Sequence, residues 1–189
     1  MPDNWKKEVC TIPNLLSLFR LLLIPVYLNI YLRARQPGDY YLAGAILSVS
    51  CLTDLADGII ARELNMVSKV GKVLDPLADK LTQFFLLLSL SQTHPLLRPM
   101  LMLFVAKELF QLGAMLVFAR KGKALCGALP AGKLCTACLF VSLTALVAFP
   151  QLEKRLVFLL IFGNTSLLFY SFCNYFQAYF GKNTKLTDL

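Results

Sequence analysis

The chain has 189 residues, of which 57% are hydrophobic and 16% charged, and its formal net charge is +8. The mean hydropathy is +0.63, and the charged fraction of 16% is well below the quarter or so of an ordinary soluble domain. Both values exclude an ordinary soluble domain. Basic charge could also indicate nucleic-acid binding, but no basic stripe with interleaved aromatic residues is present. The composition therefore predicts one integral membrane domain covering residues 1–189.

Six apolar segments are long enough to cross a bilayer as helices, which takes about 20 residues each. Residues 1–11 come first and are polar, and Trp5 with two lysines is typical of a short interfacial helix at headgroup depth. The expected fold is an all-α integral membrane protein with six transmembrane helices and a short N-terminal interfacial segment. The predicted spans are residues 12–32, 40–61, 73–92, 95–118, 129–149 and 156–180.

The connections and the orientation also follow from the sequence. Residues 33–39, which contain Pro37-Gly38, predict a turn between the first two spans, and residues 120–123 predict a basic loop. Lysines and arginines outside the spans are concentrated on the side of the two termini, which the positive-inside rule places in the cytoplasm. The first span carries no small-residue cleavage site, so we expect it to remain as a membrane anchor.

The first span has a polar face. Asn14, Ser17 and Arg20 follow one another at three-residue steps, so they lie on one side of the predicted helix. A charged residue within an apolar span indicates a function by default. For Arg20 two structural alternatives stay open, namely snorkelling to the interface and an ion pair with an acidic residue.

Four aspartates lie in or beside the second and third spans, namely Asp54, Asp57, Asp75 and Asp79. One charge at the bilayer centre costs about 2.5–3.5 kcal/mol, so folding alone gives no reason for four. Residues three or four apart share a helix face, which makes each pair an acidic stripe. Clustered carboxylates suit hard divalent cations such as Mg²⁺ or Mn²⁺.

Small residues and an arginine accompany the first acidic stripe. Gly58 and Ala61 leave room for a ligand to approach the helix backbone. Arg62 offers a planar guanidinium that suits phosphate. Together with the aspartates and Gly71, these residues complete the pattern D-x2-D-G-x2-A-R-x8-G-x3-D-x3-D.

This pattern resembles the signature of the CDP-alcohol phosphatidyltransferase family at every fixed position. The resemblance implies that an alcohol hydroxyl attacks the lipid-linked phosphate of a CDP-alcohol and releases CMP, with two divalent ions, Mg²⁺ or Mn²⁺, as cofactors. It also implies that the four aspartates bind metal and that Asp79 is the catalytic base. The CDP-binding residues that it implies are Asn14, Ser17, Gly58, Ala61, Arg62 and Ser68.

Residues 12–20 and 73–80 further resemble bacterial phosphatidylglycerophosphate synthases, which join glycerol 3-phosphate to CDP-diacylglycerol. Cardiolipin synthases, which use phosphatidylglycerol as the acceptor, share much of this pattern. The chain departs from it where the acceptor should bind, with Lys107-Glu108 in place of Arg-Glu, Cys135 in place of a lysine and Asn174-Tyr175 in place of Asp-Tyr. We expect Lys107, Lys133 and Arg20 to balance the charge of an acceptor phosphate. Structural pairing of Lys107 with a neighbouring acid is the alternative.

Two other classes are compatible with intramembrane aspartates. Membrane prenyltransferases hold Mg²⁺-diphosphate with aspartates, but they usually have more spans and two separate Asp-rich motifs. A non-enzymatic cation transporter would not need Gly58, Ala61 and Arg62 at their spacing. The family resemblance implies a homodimer. The distribution of lysines and arginines predicts a protein of the cytoplasmic membrane whose active site faces the cytoplasm, and the sequence indicates no soluble or nucleic-acid partner.

Overall fold

The computed structural model describes residues 11–63, 71–120, 123–125, 130–180 and 186–188. For residues 12–13, 54–63, 72–73, 123–125, 130–131 and 186–188 it describes the backbone alone. Of the predicted interfacial segment, residues 1–11, all but residue 11 lie outside the described part of the chain.

Within these ranges the chain forms six α-helices, and the prediction of a helical protein is confirmed. The helices are α1 (Ile12–Arg33), α2 (Pro37–Glu63), α3 (Gly71–Thr93), α4 (Arg98–Arg120), α5 (Pro130–Ala148) and α6 (Lys154–Phe180). A 3₁₀ turn, Pro95–Leu97, precedes α4. Two short strands, β1 (Lys123–Leu125) and β2 (Leu186–Asp188), pair antiparallel. The predicted basic loop at 120–123 therefore runs into a strand that pairs with the end of the chain.

Three stretches of the described chain are long and apolar enough to cross a membrane, namely Asn14–Arg33, Pro95–Arg120 and Lys154–Phe180. Gly132–Ala148 is a shorter apolar helix. Helix α3 is also long enough to cross a membrane. It carries Asp75, Asp79 and Lys80, which make it less apolar than these three stretches. A membrane protein with several apolar helices agrees with the sequence-based prediction.

The turn predicted within residues 33–39 is present but shorter than predicted, because α2 already begins at Pro37. Proline suits a first helical turn, where its fixed φ is helical and its missing N–H is not needed. The connection is residues 34–36, closed by Asp39, whose carboxylate accepts from the backbone N–H groups of Arg35 (2.9 Å) and Gln36 (3.0 Å). These two hydrogen bonds hold the pKa of Asp39 below its usual range.

The chain divides into two compact units, Met1–Leu90 with Thr144–Gln151, and Ser91–Leu143 with Leu152–Leu189. In the first unit α1 packs on α2, and the core includes the buried residues Tyr27, Ala43, Leu47 and Leu86. These positions come from the inward faces of three helices, as apolar helices with a small polar stripe require. The first unit contains the whole Asp motif.

In the second unit α4 and α6 meet through aromatic rings. Phe110 lies 5.2 Å from Phe172 and 5.7 Å from Phe176, measured between ring centroids. Phe118 stacks on Tyr179 at 5.3 Å. Offset and edge contacts at these distances add to the stability that ring burial provides. This seam fixes the register of α4 against α6.

Gly44 allows a close approach in the first unit. A Cβ atom added there would lie 2.6 Å from Cβ of Ala148, which is closer than real Cβ atoms come. Beside it, the rings of Tyr41 and Phe149 meet edge-on with centroids 6.0 Å apart. The end of α5 can therefore lie directly on α2 only because position 44 has no side chain.

We predict that Gly44→Ala lowers the thermal stability of the purified protein, because overpacking a close contact costs about 1–3 kcal/mol. The matched control is Gly113→Ala, since an added Cβ at Gly113 meets nothing within 4 Å. The control should be neutral or slightly stabilising, as alanine is a better helix former than glycine. Equal melting temperatures for Gly44→Ala and the wild type would contradict the close approach.

Candidate active site

Two side chains of α1 hold the two aspartates of α3. The hydroxyl of Ser17 donates a hydrogen bond to Oδ1 of Asp75, and Nη1 of Arg20 donates to Oδ1 of Asp79. Ser17 and Arg20 are buried, whereas the side chain of Asp79 is 35% exposed. The structure thus brings together four residues that the sequence singled out, and both carboxylates remain partly exposed.

A third side-chain bridge continues the same pairing deeper along the helices. The hydroxyls of Tyr27 on α1 and Ser89 on α3 are hydrogen-bonded at 2.8 Å, and both residues are buried. The order of partners is the same on both helices, so α1 and α3 run in the same direction where they meet. Sequence analysis missed Tyr27, although it lies two turns beyond Arg20 and continues the polar face.

The donor chemistry of the site fits a hard divalent cation. Asp75 and Asp79 lie one turn apart, and a carboxylate has two oxygens that can each accept more than one bond. Among the described side chains no group of three acidic, His or Cys residues could hold a metal ion. The other predicted ligands, Asp54 and Asp57, lie in the part of α2 for which only the helical backbone is described.

The predicted CDP-binding residues are placed to different extents. Asn14 is buried on the same face of α1 as Ser17. Gly58, Ala61 and Arg62 belong to the last turns of α2, whose backbone is helical as the predicted stripe requires. Ser68 lies outside the described residues.

The predicted acceptor residues Lys107 and Lys133 belong to the second unit. Lys107 is buried, its ammonium lies 2.7 Å from the Glu108 carboxylate, and it stands 5.6 Å from the ring centroid of Tyr175. This is the structural pairing that the sequence left open. Lys133 is exposed on the first turn of α5. Arg20, the third predicted counter-charge, is the ion-pair partner of Asp79.

Tyr175 is a further residue that sequence analysis gave no role. It is buried, and a Cβ added at Gly132 would lie 2.6 Å from its hydroxyl oxygen. The cation above its ring adds an attraction between charge and π-electrons. The position of the Tyr175 ring therefore leaves no room for a side chain at position 132 and places an aromatic face next to the Lys107 ammonium.

Residues 10–170 match the family described as CDP-alcohol phosphatidyltransferase. Individual relatives align over shorter stretches. The chain is 47% identical over 79 residues to "CDP-diacylglycerol--glycerol-3-phosphate 3-phosphatidyltransferase" of Aquifex aeolicus, covering 41% of this chain and 42% of that protein. It is 37% identical over 123 residues to the Bacillus subtilis protein of the same name, covering 59% and 64%. It is 36% identical over 110 residues to a "Probable cardiolipin synthase (CMP-forming)" of Drosophila melanogaster, covering 58% and 33%.

The chain belongs to the CDP-alcohol phosphatidyltransferase family, because the match covers most of its length. The resemblance inferred from the Asp motif is thereby confirmed. The aligned stretches span between about one third and about two thirds of these relatives' own length. Membership of this transferase family favours an enzyme over a cation transporter. It also argues against the membrane prenyltransferase alternative.

We predict that the hydroxyls of Tyr27 and Ser89 stabilise the protein through each other. Each of Tyr27→Phe and Ser89→Ala should lower stability, and the double variant should lose less than the sum of the two. The expected coupling is about 0.5–1.5 kcal/mol, the typical value of one hydrogen bond. Melting temperatures of the four proteins in one detergent measure it. Strict additivity would show that the bridge does not form.

Proposed function

We propose that this protein transfers the phosphatidyl group of CDP-diacylglycerol to the hydroxyl of glycerol 3-phosphate and releases CMP, a step of phospholipid biosynthesis. The observation that carries the proposal is the pair of α3 carboxylates held by α1, within a complete family signature. Glycerol 3-phosphate is the acceptor in the names of the relatives from Aquifex aeolicus and Bacillus subtilis.

A second acceptor is supported by a specific similarity. Cardiolipin synthases of Drosophila melanogaster and Streptomyces coelicolor are 36% and 41% identical over the parts that align. The alternative function is therefore the same transfer with phosphatidylglycerol as the acceptor.

Transfer of this kind needs charge neutralisation and alignment more than covalent catalysis. In our proposal Asp54, Asp57, Asp75 and Asp79 hold two divalent ions, Mg²⁺ or Mn²⁺. When bound, such ions supply positive charge opposite the diphosphate of the donor. The chain's own part is to place the carboxylates, exclude water and align the two substrates.

Asp79 is the proposed general base. A base must come within about 2.6–3.2 Å of the hydroxyl oxygen whose proton it accepts. Its side chain is about one third exposed, so a substrate hydroxyl can reach it, while its neighbour Asp75 remains one turn away for metal. The proton moves from the acceptor hydroxyl to a carboxylate oxygen of Asp79 as the acceptor oxygen bonds to phosphorus and CMP leaves.

The donor and acceptor contacts are also proposals. We assign CDP to Asn14, Ser17, Gly58, Ala61, Arg62 and Ser68, as the family resemblance implies. Lys133 offers an exposed cation to the acceptor phosphate. The ammonium of Lys107 has three N–H donors, of which one serves Glu108, so it can serve a phosphate as well.

In the membrane, we propose that all six helices cross the bilayer with both termini in the cytoplasm. The Asp motif then opens to the cytoplasm, and the enzyme acts as a homodimer in the cytoplasmic membrane. Basic residues outside the predicted spans support this orientation.

An acceptor screen tests the function. Purified protein in detergent receives CDP-diacylglycerol and Mg²⁺ or Mn²⁺, with glycerol 3-phosphate, phosphatidylglycerol, serine or inositol phosphate. We expect CMP release and a phosphatidylglycerophosphate product with glycerol 3-phosphate, and loss of both when EDTA removes the metal. Release with phosphatidylglycerol alone would select the alternative acceptor. Folded protein that releases no CMP with any acceptor would contradict the proposal.

We predict that Asp79→Asn lowers kcat by at least about 10²-fold, the usual contribution of a general base. Asp75→Asn should also lower the rate, and higher Mn²⁺ concentrations should partly restore it if Asp75 binds metal. The matched control is Asp39→Asn, which changes an exposed aspartate at the start of α2. Full turnover by Asp79→Asn would rule out its role as the base.

A further inference from the structure

The ion pair of Arg20 with Asp79 is unusual for its place in the fold. Arg20 is only 2% exposed, and it lies in the third turn of α1, a helix made mostly of apolar residues. Removing a guanidinium from water is expensive, and well-packed apolar residues can often replace a buried ion pair without loss of stability. A reason beyond folding is therefore needed for an arginine at this position.

The geometry of the pair suggests that reason. A carboxylate turns easily about its last side-chain bond, because that torsion has broad minima. The bond from Nη1 of Arg20 to Oδ1 of Asp79 restricts this rotation. The hydroxyl of Ser17 restricts Asp75 in the same way, one turn earlier on both helices.

The buried hydrogen bond between Tyr27 and Ser89 helps to keep these two contacts in place. It lies farther along the same two helices and fixes how far α1 can slide against α3. Donors at positions 17 and 20 then meet acceptors at positions 75 and 79 in one register only. A planar guanidinium on a fixed helix is better suited to this task than a flexible lysine.

We propose that Arg20 is a positioning residue that orients the Asp79 carboxylate toward the acceptor hydroxyl, and that it does not bind the acceptor phosphate. The proposal rests on the proposed function, in which Asp79 is the base. It adopts the ion-pair alternative for Arg20 that the sequence left open. In this proposal Arg20 acts on the reaction through Asp79.

Steady-state kinetics separate the two roles. Wild-type protein, Arg20→Gln, Arg20→Lys and the control Arg33→Gln are compared with CDP-diacylglycerol, Mn²⁺ and varied acceptor, using whichever acceptor the wild type accepts. Arg33 is exposed at the end of the same helix. We expect Arg20→Gln to lower kcat by about 10²-fold, because a small misplacement of a reacting group costs that much. The KM for the acceptor should change less than about threefold, as no binding contact is lost.

Arg20→Lys should recover part of the lost kcat, to within about tenfold of the wild type, since an ammonium can still bond to one oxygen. Affinity for CDP-diacylglycerol, measured by direct binding, should be unchanged in both variants. Arg33→Gln should match the wild type in every quantity.

A rise in acceptor KM of tenfold or more with unchanged kcat in Arg20→Gln would assign Arg20 to the acceptor phosphate and overturn the proposal. Unchanged kcat and KM would overturn it as well. If Arg20→Gln does not fold, Arg20→Lys decides, because a loss confined to kcat supports positioning, whereas a loss in KM or no loss contradicts it. Wild-type protein without CMP release would instead show that the proposed function has failed.

Discussion

A buried positive charge is the constraint on which the first unit depends. The guanidinium of Arg20 lies out of water in an apolar helix, and such a charge is tolerated only next to an opposite charge. Asp79 supplies that charge, so α1 and α3 must stay in register. Removing either residue would take away a charge that the other one contacts directly. The same contact that secures the helices therefore also orients a carboxylate of the Asp motif.

The apolar packing supports this arrangement without specifying it. Helix α1 packs on α2, Tyr27 and Leu47 are buried in this unit, and the absence of a side chain at Gly44 lets the end of α5 approach α2. Hydrophobic contacts are non-directional and permit small slides of one helix along another. Hydrogen bonds between named atoms do not, which is why the polar bridges set the positions of the two aspartates.

Helix positions and the Asp motif could be predicted because both depend on local spacing. Apolar length gives the spans, and three- or four-residue steps give the shared faces of Ser17 with Arg20 and of Asp75 with Asp79. Spacing does not say which helix a face meets, so the pairing of Arg20 with Asp79 stayed one alternative among several. Lys107 and Glu108 are adjacent, and neighbours in a helix do not share a face, so their contact has no signal at helical spacing. The pairing of β1 with β2 joins residues far apart in the chain, beyond any local pattern.

Position 107 is a lysine where the synthases it resembles usually have an arginine, and the two side chains bind phosphate differently. An arginine would meet a phosphate with two parallel N–H bonds, whereas a lysine is a point charge with separate donors. At Lys107 one donor already serves Glu108, and the ammonium faces the ring of Tyr175. A phosphate bound there gains charge attraction but little geometric selection. In the proposed function, discrimination between a small phosphorylated alcohol and a lipid acceptor would then depend on residues other than Lys107, and the candidates are the exposed Lys133 and the surroundings of Tyr175 and Gly132.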